Sequence, residues 1–186
     1  MKKIALLALA ATTAAVATPA SAQTVTGTID LTGSVAPKCF VVPGNGSTFG
    51  QTVAFGELSQ ASGILRTDLA STFGTKTASV LCTTANPSVS VDSTALATTT
   101  LPSAGYDNSI DFKASVVLTT VTVPKTFEND SSQDALVSSP VGRRLANGSG
   151  NVSITTSNYR TDNITDLLVA NPTYTGSIVV LIAPGT

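Results

Sequence analysis

Between residues 25 and 35 the chain alternates: Val25, Gly27, Ile29, Leu31, Gly33 and Val35 are apolar or glycine, and every residue between them is Thr, Asp or Ser. A period of two marks an extended segment with one face to bury. No flanking turn folds this segment back as a hairpin, so its sheet lies elsewhere, in this chain or in another molecule. The same period returns in the longest predicted strand, residues 110–123, where Ile110, Phe112, Ala114, Val116 and Leu118 share one face. Shorter strands are predicted over residues 40–42, 76–82, 89–91, 151–156 and 174–183, and over 52–58 with a glycine bulge at Gly56. Residues 65–73 have room for one helical turn, and Pro43-Gly44-Asn45-Gly46 is a turn cluster. From residue 124 to 150 polarity rises and Pro, Asn and Gly accumulate, which predicts loop with at most short strands. Many short strands without a convincing amphipathic helix predict one all-β sandwich domain.

The chain begins with a different pattern. Lys2 and Lys3 precede a short, mostly apolar run over residues 4–16, and Ala20-Ser21-Ala22 is a small-x-small cleavage site. The run is well short of the roughly 20 apolar residues that span a bilayer. Residues 1–22 therefore read as a cleavable export signal, with Gln23 the first mature residue and no membrane insertion expected. The predicted organisation is a signal at 1–22, an N-terminal extension at 23–36 and a β-sandwich at 37–186.

Composition narrows the chemistry. There is no His and no Trp, and charged residues make up 11% of the chain, against roughly 25% in an average protein. No nucleophile motif or positioned acid pair is visible, so neither an enzyme nor a cofactor is expected. The net charge of −1 becomes more negative once Lys2 and Lys3 leave with the signal, which offers no footprint for nucleic acid. Cys39 and Cys82 are the only cysteines, and an even count in an exported chain reads as a disulfide. The acidic groups Glu128-Asn129-Asp130 with Asp134, and Asp162 with Asp166, lack calcium-loop spacing and read as solvated loop. Arg143-Arg144 reads as an exposed turn. Asn45, Asn129, Asn147, Asn151 and Asn163 begin Asn-x-Ser/Thr sequons, a pattern that arises easily in so Ser/Thr-rich a chain.

Taken in order, residues 27–35 (Gly-Thr-Ile-Asp-Leu-Thr-Gly-Ser-Val), Cys39, residues 51–58 (Gln-Thr-Val-Ala-Phe-Gly-Glu-Leu) and Cys82 resemble the N-terminal half of a chaperone/usher pilus (fimbrial) subunit. They are similar also to the spore coat protein U-like subunits of archaic pili. The likeness covers residues 23–92 well and the remainder only in pattern. It implies an immunoglobulin-like sandwich that lacks its last strand and is completed by a donor strand from a neighbouring subunit. On that resemblance Val25, Gly27, Ile29 and Leu31 would form the donor face, and Ile178, Val180 and Ile182 one wall of the acceptor groove. Implied partners are neighbouring pilus subunits, a periplasmic chaperone and an outer-membrane usher, and the implied destination is the surface of a Gram-negative cell. The chain departs from the family pattern at Ile182-Ala183-Pro184-Gly185-Thr186, where an aromatic residue next to the end is usual. The alternative reading is a self-contained secreted β-sandwich that binds a surface or glycan, with residues 25–35 as its own first strand.

Overall fold

A computed structural model describes residues 26–43 and 46–185. The signal at 1–22, Val25 and the Gly44-Asn45 centre of the first turn cluster lie outside the described residues. The chain divides into two units, residues 1–34 and residues 35–186. In the first, residues 26–34 run without helix or strand.

Among its described residues the second unit is all-β with a single short helix. Its elements are β1 (Cys39–Val41), α1 (Leu69–Phe73), β2 (Lys76–Ala78), β3 (Val80–Cys82), β4 (Ser88–Ala97), β5 (Tyr106–Asp107), β6 (Ser109–Leu118), β7 (Lys125–Asp130), β8 (Ser139–Pro140), β9 (Val152–Arg160), β10 (Leu167–Leu168) and β11 (Thr175–Ala183). Pairing is antiparallel throughout except for the short β5–β10 contact. One layer runs β2-β9-β6-β7, and the other is β11-β4 with β8. Strand β6 joins them, pairing Ser109 and Ile110 with β4 and residues 113–118 with β7 and β9. The alternation read from the sequence places Ile110, Phe112, Ala114, Val116 and Leu118 in the core with Val89, Val91, Val152 and Ile154.

Two irregularities re-aim side chains. Between Asp111 and Lys113 the register of β6 against β9 slips by one residue, and Asn158 adopts a φ of 55°, a left-handed conformation that Asn tolerates better than most residues. The extra residue reverses the alternation, so Tyr159 rather than Asn158 turns inward and stacks on Phe112 with ring centroids 5.5 Å apart. A second slip lies opposite Gly176, between the β11 residues Thr175 and Ser177. There a side chain on Gly176 would meet the carbonyl oxygens of Thr94 and Ala95 at 2.8 and 2.9 Å, which explains the glycine. The slip turns Leu96 inward after Val89, Val91 and Ser93.

Buried asparagines bind segments that hydrophobic patterning alone does not connect. The Asn151 side chain accepts from the Val80 amide and donates to the carbonyls of Val80 and Ala146. Asn129 accepts from the Ser93 amide and donates to the Asp134 carbonyl. The second pair lies in the stretch expected to be loop with at most short strands: residues 125–130 form strand β7, paired with β6 over six residues. Its inward positions are Phe127 and Asn129, and the buried amide is satisfied by hydrogen bonds instead of apolar contact.

Candidate functional site

The last strand, β11, carries an almost unbroken apolar run, and among the described residues it pairs with β4 on one edge only. Its inward side chains Ile178, Val180 and Ile182 pack against the core yet stay only half-buried. Edge strands are ordinarily short, charged or covered. This one is nine residues long, about 30 Å at the usual rise, and has no charged side chain.

Across from β11 lies the segment predicted as a strand at 52–58. It is extended, with Val53 and Phe55 turned toward the core and Thr52 and Ala54 outward, but it belongs to no ladder among the described residues. Gly56 has a φ of 72°, which ends the run with a bend that favours glycine. What holds this segment is a side chain: Arg66 donates to the carbonyls of Phe55 and Glu57 while forming a bidentate pair with Asp68. That pair raises the Arg66 pKa above its ordinary value, so the clamp stays charged. The Ser59 hydroxyl donates to Glu57 and holds its carboxyl below the usual range.

Between the two walls runs an open cleft of about 840 Å³. Its floor includes Phe112, Ile154 and Tyr159, and its walls are residues 48–59 on one side and 174–178 on the other. Phe55 meets Tyr159 edge-on with centroids 5.8 Å apart. Burial pushes the phenols of Tyr159 and Tyr174 up, so both remain neutral donors, to Thr156 Oγ1 and to the Val169 carbonyl respectively. The cleft therefore offers the half-buried apolar side chains Val53, Phe55, Tyr159 and Ile178 between residues 48–59 and the first residues of β11.

The predicted site residues fall as follows. Cys39 and Cys82 form a disulfide with an S–S distance of 2.05 Å, closing a span of 43 residues at the β1–β3 pair. A disulfide fits an oxidising, exported setting. Ile178, Val180 and Ile182 share the inward face of β11. Gly27, Ile29 and Leu31 lie in the strandless segment, where Ile29 is 86% and Leu31 90% exposed. Sequence reasoning did not single out Val53, Phe55 and Leu58 as the second wall, although the alternation over 52–58 carried that signal. Nothing in the sequence pointed to Arg66 or Tyr159. No group of three or more metal-ligating side chains occurs among the described residues, and no described helix is long and apolar enough to cross a membrane.

Comparison with known proteins returned no match to a family model, to a curated protein or to a solved structure.

Proposed function

We propose that this protein is the structural subunit of a surface fibre, pilus or coat, in which the extension at 23–36 of one copy fills the cleft beside β11 of the next. The observation that supports this reading is an uncovered strand edge beside an apolar cleft and a strandless alternating segment in the same chain. The cleft lies over the apolar side chains Ile178, Val53 and Phe55, the edge of β11 away from β4 has no partner among the described residues, and residues 26–34 hold alternating apolar side chains without a ladder. Seven residues from Val25 to Leu31 extend about 23 Å, within the length of β11. Burying Val25, Ile29 and Leu31 would contribute roughly 5 to 9 kcal/mol before ordering costs, and the ladder on β11 adds to that.

A contact of this kind is heterologous: each copy gives a strand at one place and receives one at another. It does not close on itself, and it propagates. The Cys39–Cys82 disulfide, beside the point where the extension leaves the sandwich, anchors the base of the donor segment. A periplasmic chaperone that occupies the cleft before assembly, and an outer-membrane usher, belong to the same reading.

Mature protein run on a denaturing gel without and with boiling tests it. Strand-exchanged subunits give a ladder that collapses to monomer only on boiling, and the ladder is lost in Leu31→Asp. Monomer in both lanes, with assembly indifferent to Leu31, would contradict the proposal.

A further inference from the structure

The two ends of the sandwich carry opposite charge. One end is built from residues 36–38, 82–87, 119–125, 140–150 and 183–185. Several hydrogen bonds tie these together: Thr83 Oγ1 to the Ala36 carbonyl, Gly142 N to Asn86 Oδ1, Val121 N to the Arg144 carbonyl and Gly185 N to Thr84 Oγ1. These segments contain Lys38, Lys125, Arg143 and Arg144 and no Asp or Glu. All four cations are exposed, and none forms an ion pair among the described residues. Val121 and Val123 are exposed beside them.

The opposite end is built from the loops around residues 58–68, 98–108 and 161–174, joined by Leu168 N to the Gly63 carbonyl and Asp162 N to Asp107 Oδ2. It carries Asp162 and Asp166, with Asp107 buried beneath Asp162 and Asp130 close by on Arg160. Its cations, Arg66 and Arg160, are already paired with Asp68 and Asp130.

Strand direction brings these ends together. β11 runs from the acidic end, where Thr175 faces Ala97, to the basic end, where Ala183 faces Ser88. A strand inserted antiparallel to β11 runs the other way and emerges at the acidic end of the acceptor. In the donor, the same chain enters its own sandwich at the basic end, because residues 36–38 bond to Thr83 there. Resting on the function proposed above, we infer that the basic end of one copy, with Lys38, Lys125, Arg143 and Arg144, docks on the aspartate-rich end of the next copy of this chain. The contact sets the direction of insertion: a strand entering parallel to β11 would press two basic ends together, and repulsion between like charges disfavours that arrangement.

The test compares assembly of full mature protein at low salt and at about 1 M salt, where the screening length falls to about 3 Å. Two variants, R143E/R144E and D162K/D166K, change exposed or half-exposed side chains away from the cleft. Binding of a synthetic peptide of residues 23–36 reports in each case that the cleft is intact. Each variant alone is expected to assemble about tenfold more slowly than the natural chain at low salt, with the difference gone at high salt. In a mixture of the two, contacts that alternate the variants again join opposite charges, so assembly should recover most of the natural rate. Normal peptide binding with assembly unchanged by either variant and by salt would overturn the end-to-end contact while leaving strand exchange standing. Failure of the natural chain to bind the peptide or to assemble would overturn both.

Discussion

Replacing Leu31 with Asp perturbs the donor face at its most exposed apolar side chain, 90% accessible in the subunit. Full burial of Leu in the cleft contributes about 2 to 3 kcal/mol, all of which the substitution removes. It also brings a carboxylate against apolar side chains such as Ile178 and Phe55, at a desolvation cost of several kcal/mol; the cation on the cleft lining, Lys76, is engaged over the Phe73 ring. The sum is on the order of 5 kcal/mol, or between three and four decades in affinity at about 1.4 kcal/mol per decade. The assay adds peptides of residues 23–36 to monomeric mature protein and follows thermal unfolding. At a hundredfold excess over Kd, the natural peptide stabilises the subunit by about 2.7 kcal/mol. That is a rise of roughly 5 to 10 °C for a domain of this size. The Leu31→Asp peptide at the same concentration should produce no measurable rise. Asp30 points to the opposite face, so Asp30→Asn should behave as the natural peptide. Equal stabilisation by the natural and Leu31→Asp peptides, or none by the natural one, would refute the reasoning.

Two further predictions concern the scaffold. Cys82→Ser opens a span of 43 residues and should lower unfolding free energy by about 4 kcal/mol in the chain-entropy account, measured by denaturant titration; the same loss should appear in the natural chain under reducing conditions. Asp130 is held at a pKa of about 2, chiefly by the hydrogen bond from Arg160, which lies 2.7 Å away. The folded pKa lies below the unfolded one, so the contribution is complete above the ordinary aspartate range and is lost as pH falls toward 2. The shift corresponds to about 2.5 kcal/mol. With the Asp130 and Arg160 side chains 24% and 35% exposed, screening reduces this to about 1 kcal/mol. Asp130→Asn should therefore cost about 1 kcal/mol at neutral pH and nothing measurable near pH 2, by thermal unfolding across that range.

What the sequence disclosed follows from which interactions leave a local trace. The core faces of β6 and of parts of β4 and β9 were legible because apolar and polar positions alternate there, and β11 because it is an apolar run. The extent of β7 was not, because its inward Asn129 is polar, and only the distant Ser93 amide and Asp134 carbonyl make that burial tolerable. The stretch predicted over residues 76–82 divides at Ser79 into β2 and β3, since Val80 leaves the β9 ladder to bond the Asn151 side chain and pair with β1. The stretch over residues 110–123 ends as a strand at Leu118 because Thr120 turns the chain by accepting from Thr122 N and donating to the Val123 carbonyl. In the cleft, the apolar face of β11 and the alternation over 52–58 could both be read. Their meeting across one cleft could not, because nothing local in either segment specifies the other. Arg66 as a clamp and Tyr159 as floor depend on carbonyls 9 and 11 residues away and on a bulge at Asn158, neither of which has a compositional signature.

The central claim is that a strand from another copy pairs with β11. Amide hydrogen exchange on β11 and on residues 51–54, compared between monomer and assembled fibre, measures that pairing at the backbone. The account predicts rapid exchange along the open edge of β11 in the monomer and strong protection there, and in residues 25–31, within the fibre. Fibres whose β11 edge and residues 25–31 exchange as fast as in the monomer would contradict it.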